Sequence, residues 1–459
     1  MPLIILAIDQ GTSATKAVVW CQSRGILSEV DVPVAGLTFD GDMIEQDPEL
    51  LIESVIAAGR AAIAHSGARI DAVGLGNQGE TVLGWHRATG AALTPALSWQ
   101  DRRSHVITDG FSPLEQEKLW SITGLPVDPY FAAPKMTWLK RNNQLPADAV
   151  ISTIDAFVTA RLTGRYVTDF STASRTQLLD PETLKWSTAA CDSYGIDPST
   201  LPEILPCDAQ VGTTEVFGGS IPVIGLMVDQ QAALFAEGCN VRGLAKCTYG
   251  TGAFLLANVG AAHIQSTSKL ATSLAWVFSD GTRSSCIDGQ VYSAGAGVSW
   301  LQRVGLIKDP ADLDVLAGAV TDTAGVNFEP VFTGRGAPVW APNQRAQITG
   351  LSLASTPSHI ARAFFTGLAA EVTSVVRAVE IDLGESLKVL RVDGGLTQSK
   401  VLMQLQADDL GIAIEVYPHG CATALGIAAT TLRGLLGPGA EAEIIAGWQP
   451  RNIFEPLER

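Results

Sequence analysis

Two carboxylates in this chain close apolar strands, a position from which open α/β sheets present reactive side chains. The β-branched run Ile221–Val228 ends in Asp229, and the helix-forming segment Gln230-Gln-Ala-Ala-Leu-Phe235 follows. A carboxylate there can take a proton from a substrate as a general base, or it can cap the helix behind it. Position alone leaves both open. Residues 3–8 form a second buried strand, closed by Asp9, and the turn Gln10-Gly-Thr-Ser-Ala-Thr-Lys16 leads into a returning strand at 17–20. Such a tip leaves backbone N–H groups and hydroxyls free for an anion above it, and Lys16 adds a cation. Asp9 stands where a Mg²⁺ ion on phosphates would need a ligand.

The pattern returns in the second half. Residues 244–257 again read as strand, Gly/Thr turn and strand, around Thr248-Tyr-Gly-Thr-Gly252. Two such hairpins, one opening each half, imply an internal duplication with a boundary near residue 240 and domains at 1–239 and 240–459. A strand at 387–392 runs through Asp393-Gly-Gly395 into a helix at 399–410, which lets a nucleotide approach backbone. Residues 48–65 and 359–380 carry helical periodicity. Gly74-Leu-Gly76-Asn-Gln-Gly79 matches a dinucleotide fingerprint in form only, because a strand and not a helix should follow it. The group Asp101-Arg-Arg103 reads as surface salt bridging, and residues 168–176 as polar loop.

Composition narrows the class. The 459 residues are 46% hydrophobic and 17% charged, with 45 glycines and a net charge of −16. That is an enzyme-like composition, and its acidity argues against a nucleic-acid partner. Seven scattered cysteines without a C-x-x-C pair fit the thiols of a reducing cytosol. The six histidines are equally dispersed, so no histidine metal cluster is expected. No apolar segment reaches membrane-spanning length, and the N-terminus lacks the basic flank of a signal peptide. The expectation is a cytoplasmic protein with no membrane partner.

Taken together, Ala7-Ile-Asp-Gln-Gly-Thr12, Asn77-Gln-Gly-Glu-Thr81, Ser98-Trp-Gln-Asp-Arg-Arg103, Asp128-Pro-Tyr-Phe131, Ser174-Arg-Thr176, Asp229-Gln-Gln-Ala-Ala-Leu-Phe235, Thr248-Tyr-Gly-Thr-Gly252, Gly336-Ala-Pro338 and Asp393-Gly-Gly395 resemble the FGGY family of carbohydrate kinases, in its glycerol-kinase branch. The resemblance implies an α/β fold of two duplicated ribonuclease-H-like (actin-like ATPase) domains around a central cleft. It implies ATP and Mg²⁺, a small polyol or sugar as substrate, and leaves room for a homodimer. Asp229 becomes the base and Asp9 the metal ligand. Gln78, Gly79, Glu80, Trp99, Tyr130, Gln230 and Phe254 fall at the substrate. Gly11, Thr12, Ser13, Ala14, Lys16, Thr251, Gly252, Gly295, Ser299, Gly394, Gly395 and Ser399 fall along the nucleotide.

Two positions depart from the branch. Lys16 replaces an arginine, and Gly79 stands where glycerol kinases carry an arginine that donates to polyol hydroxyls. Losing such donors costs about 1.5–3 kcal/mol, or roughly ten- to a hundred-fold in glycerol discrimination. The vacated space admits a longer polyol or a sugar. A silent sensor would keep the pocket and lose the phosphate turns, and an actin-like ATPase would lack Glu80, Trp99 and Tyr130.

Overall fold

The N-terminal apolar run becomes the strand Ile4–Gln10, which pairs antiparallel with Ala14–Cys21 and parallel with Ala72–Asn77. In this computed structural model, residues 2–341 and 343–457 are described. The first sheet is ordered Gln210–Thr214, Ile221–Val228, Ala72–Asn77, Ile4–Gln10, Ala14–Cys21, Gly25–Pro33. The second is ordered Asn452–Phe454, Ala413–Val416, Val389–Asp393, Ala245–Tyr249, Ala253–Gly260, Arg283–Val291, with Ala271–Val277 added at the edge.

Direction repeats along with order. In each sheet the opening hairpin is antiparallel, the next two strands run parallel to its first strand, and an antiparallel strand closes the edge. The duplication read from two Gly/Thr turns is thus carried by the whole topology. A small sheet built from Thr38–Asp40, Met43–Gln46, Ala96–Leu97, Val82–His86 and Ala149–Thr153 is inserted into the first half. No described helix is long and apolar enough to cross a membrane.

The halves are joined by more than the chain between them. The helix Ala422–Leu436, from the second half, packs on the strands Ile4–Gln10, Ala72–Asn77 and Ile221–Val228 and on the helix Asp229–Ala236. Small residues permit this. A Cβ on Gly74 would overlap Thr431 and Ile427 of that helix and one on Gly76 would crowd Ile427, so these two glycines of the false fingerprint serve helix–sheet packing. A Cβ on Gly426 would overlap the carbonyl of Ala232, so the two helices meet backbone to backbone. Gly426→Val is therefore expected to destabilise the protein by about 1–3 kcal/mol or more, because backbone cannot step aside as a side chain can. An unchanged melting temperature would refute that close approach.

Two sequence expectations are corrected. Asp101-Arg-Arg103 is not a surface group: Asp101 is fully buried, and Arg103 pairs with it at 2.8 Å and with Glu45 at 2.7 Å. The third member, Arg102, reaches Asp128 at 3.2 Å. Of residues 168–176, expected as loop, 168–173 form the end of strand Val167–Asp169 and the short helix Phe170–Ala173, and only 174–176 are turn. Asp169 caps that helix, accepting from the N–H groups of Ser171 and Thr172 at 2.7 and 3.2 Å. Polar residues are buried at both places because they satisfy one another, which hydropathy does not register.

Candidate active site

Between the two halves lies a cavity of about 100 Å³, lined by Thr12, Gly79, Glu80, Trp99, Tyr130, Arg175, Val228, Asp229, Gln230, Gln231, Phe254, Leu256, Asp288 and Gln290. Of the residues expected at the substrate, Gly79, Glu80, Trp99, Tyr130, Asp229, Gln230 and Phe254 meet here. Gln78 stands behind the wall, where its amide donates to Gln46 at 2.9 Å and accepts from Thr12 at 2.8 Å. Thr12 is drawn into the same network, since its hydroxyl also accepts from the Trp99 indole at 2.9 Å. It faces the cavity and supports Trp99.

Trp99 forms an aromatic wall with Tyr130 and Phe254, edge to face at 5.9 and 5.7 Å. Such a surface suits the C–H face of a carbohydrate. The Tyr130 loop is clamped from behind by Lys135, whose ammonium donates to the carbonyls of Pro129 at 3.0 Å and of Tyr130. Burial pushes Lys135 down to about 7, against the pull of the Glu80 charge.

Glu80 is held in left-handed backbone, with φ of 54°, at the tight turn closed by the Thr81 N–H on the Gly79 carbonyl at 2.7 Å. A buried residue with a β-carbon in that region is a strained one, and strain of this kind collects at functional sites. Its carboxylate accepts from Arg175 Nε at 2.6 Å, and Arg175 Nη1 donates to Asp288 at 2.6 Å. Glu80 and Arg175 belong to the first half and Asp288 to the second, so this buried triad spans the cleft. Burial raises both carboxyls and the guanidinium opposes it.

Asp229 opens the helix Asp229–Ala236 at its first residue, with Val228 as the capping position. Its Oδ1 accepts the Gln230 N–H at 2.7 Å. The carboxylate thus does some helix-terminal duty while also lining the cavity. Burial, then the Glu80 charge, raises it to about 6, opposed by the Gln230 N–H and by Lys246. Lys246, fully buried, donates to the Gln230 side-chain Oε1 at 2.5 Å and to Thr248 at 2.7 Å, which leaves the Gln230 NH₂ for the cavity.

The two turns lie at the ends of the paired strands. Gly11 N–H closes the first on the Ala14 carbonyl at 3.1 Å, and Gly250 N–H closes the second on the Gly252 carbonyl at 2.9 Å. Among the described residues, the N–H groups of Thr12, Ser13, Thr251 and Gly252 have no backbone partner. Each turn therefore offers two donors to an anion. Gly295 packs on the second turn through an N–H bond to the Gly250 carbonyl at 2.9 Å. One turn of helix on, Ser299 bonds back to Gly295 at 3.2 Å. Gly394 lies under Tyr249, and Gly395 has open space beside it. Ser399 is instead a helix cap, accepting from Leu402 N–H at 3.0 Å and donating to Asp314. Lys16 turns to Glu29 at 3.0 Å, Asp31 at 3.5 Å and the Gly420 carbonyl at 2.8 Å.

Asp9 is raised to about 7 by burial and by the Asp229 charge, with Asp393 adding to it and Lys16 opposing. Asp393 Oδ1 is buried without a partner among the described residues. These are hard carboxylate oxygens in mutual repulsion, and one or two of them with phosphate oxygens and water suit Mg²⁺. The donor set fits the ion.

Arg175, Asp288, Gln290 and Lys246 carried no role in the sequence reading. Arg175 lay within a matched segment, Ser174-Arg-Thr176, and a cationic residue flanked by hydroxyls was the available signal. Asp288 and Gln290 sit in an ordinary strand pattern, and only topology brings them to the cleft.

Residues 4–236 match the FGGY family of carbohydrate kinases, N-terminal domain, and residues 245–435 match its C-terminal domain. A glycerol kinase of Acinetobacter baylyi is 38% identical over 98% of this chain and 94% of its own. One of Thermus brockianus is also 38% identical, over 98% and 94%. Among solved structures, the glycerol kinase of Plasmodium falciparum with ADP superposes with a TM-score of 0.91 at 31% identity, covering 99% of this chain and 94% of that one. A xylulose kinase of Lactobacillus acidophilus shares the fold, with a TM-score of 0.89 at 21% identity over 99% and 94%.

Proposed function

The chain belongs to the FGGY family of carbohydrate kinases, and we propose that it phosphorylates a primary hydroxyl of a small polyol with Asp229 as the general base. As an ATP-dependent kinase it needs a base, an anion cradle and a dry pocket. The observation that carries the assignment is Asp229 itself, half-buried against the cavity and held near 6. A base poised just below neutral pH is ionised when needed and still accepts a proton readily.

The acceptor lies along Trp99, Tyr130 and Phe254, with Glu80 and the Gln230 NH₂ on its non-reacting hydroxyls. Asp229 takes the proton as the hydroxyl oxygen bonds the γ-phosphorus, and the bond from that phosphorus to the bridging oxygen of ADP breaks in line. The free N–H groups of the two turns bind the phosphates. Mg²⁺, held by Asp9 with Asp393, supplies positive charge to the phosphate oxygens when bound with ATP. Neither a silent sensor nor an actin-like ATPase finds support among the relatives. A cytoplasmic location fits ATP dependence and seven cysteines that are all free and buried.

ADP release measured with and without polyols and sugars, across pH 4.5 to 8, tests this reading. Release is expected only with an acceptor present. As pH falls below about 6 the base gains its proton, so kcat/KM drops about tenfold per unit, and above that it levels. Acceptor-independent release would point to an ATPase, and a flat profile from pH 5 to 7 would remove the base.

A further inference from the structure

The cavity has a second polar corner that proton transfer does not use. Arg175 is buried on its wall, with its guanidinium 5.9 Å from the Tyr130 ring centre and 5.4 Å from that of Phe131. Nε is committed to Glu80 and Nη1 to Asp288. The Nη2 donors make no hydrogen bond among the described residues, although the side chain borders the cavity. From the strand Arg283–Val291 of the other half, Gln290 donates through Nε2 to the second oxygen of Asp288 at 2.5 Å. That bond fixes the amide and turns its carbonyl oxygen away from the carboxylate. The oxygen has no partner among the described residues. One carboxylate therefore holds a guanidinium and an amide side by side, with an unused donor and an unused acceptor at one wall.

A donor and an acceptor so paired fit a single alcohol, whose oxygen accepts one hydrogen bond while its proton makes another. Asp229, Glu80 and Gln230 already offer a polar partner to each hydroxyl of a three-carbon polyol, so the extra corner calls for a further one. Gly79 leaves the length for it. No side chain from that position enters the cavity it borders, and even a Cβ there would stand 3.2 Å from Val228.

We propose that Arg175 and Gln290 form a subsite, assembled from both halves, for a hydroxyl beyond the third carbon, which makes four- and five-carbon polyols the preferred acceptors. This rests on the kinase reading above. Asp288 is a positioning residue that orients both groups. Discrimination follows because an acceptor too short to reach leaves the buried guanidinium and amide without their partner, and sites built to bind a hydroxyl reject analogues that lack it.

The experiment is kcat/KM for glycerol, erythritol, threitol, ribitol and xylitol in the wild type, Gln290→Leu and Gly79→Arg. Thermal shifts with the same polyols read binding without turnover. The wild type should favour at least one longer polyol over glycerol by about tenfold or more. Gln290→Leu, similar in shape but without the amide, should reduce that ratio at least about tenfold. Gly79→Arg should move the ratio toward glycerol. A wild type that prefers glycerol, or a Gln290→Leu ratio equal to the wild type's, overturns the subsite. If no polyol or sugar releases ADP, the kinase reading fails instead, and the thermal shifts still decide whether the longer polyols bind.

Discussion

Asp229→Asn is expected to lower kcat by about 10²- to 10⁴-fold, the range that a positioned general base contributes. The substitution separates the two roles open to this residue. An asparagine keeps the shape, and its side-chain oxygen can still accept the Gln230 N–H that Asp229 accepts at 2.7 Å. The helix-terminal role therefore survives, while the capacity to take a proton is lost. Nucleotide affinity should be unchanged or slightly tighter, because the Asp229 charge helps raise Asp9. Removing that charge lets Asp9 ionise more readily at neutral pH. Steady-state turnover and nucleotide titration together decide the matter. A variant that keeps more than about a tenth of wild-type kcat would mean that Asp229 only caps.

Arg175→Met should produce the largest loss of stability. Glu80 and Asp288 are 4% and 3% exposed, and each accepts a short hydrogen bond from this guanidinium. Removing one member of a buried ionic group leaves uncompensated charge, at a cost of about 3–5 kcal/mol. The sign of the pH dependence follows. Burial already raises both carboxyls, and Arg175 is the main force opposing it. Without Arg175 both rise further, so the folded state holds their protons more tightly than the unfolded chain does. Such groups contribute stability at low pH and lose it as pH climbs through their folded values. The variant should therefore melt further below the wild type at pH 8 than at pH 5. Adding Glu80→Gln and Asp288→Asn should restore much of the melting temperature without restoring turnover. Equal melting of Arg175→Met and wild type at pH 8 would show that the triad is not held as described.

The sequence disclosed the fold through repetition. Asp9 with its turn and Thr248 with its turn predicted two matching halves, and both sheets repeat one strand order. The proposed base, Trp99 and Phe254 were legible for a similar reason, since each lies in or beside a strand end whose pattern is local, while Tyr130 sits in the loop before the helix Ala132–Asn142. What stayed hidden was polar burial. Asp101 and Arg103 looked like surface charges because pairing cannot be seen in hydropathy, and the Thr168-to-Thr176 stretch looked like loop because its hydroxyls bond inward. Arg175, Asp288 and Gln290 come from segments more than a hundred residues apart, and only closure of one half on the other makes them neighbours. Ser399 and Lys16 show the converse. Their residue types suit phosphate, yet local partners, Asp314 for one and Glu29 for the other, already claim them.

The backbone contact of Gly426 on Ala232 places a fulcrum under the proposed base. Asp229 begins the very helix that is pinned there, and Thr423 donates to the Asp229 carbonyl at 3.4 Å from the other helix of the contact. In any rotation of one half on the other, atoms near the axle travel least and those at the rim travel most. Asp229 stands three residues, about one helical turn, before Ala232, and so lies close to that axle. A swing of one half on the other would therefore leave the proposed proton acceptor nearly in place.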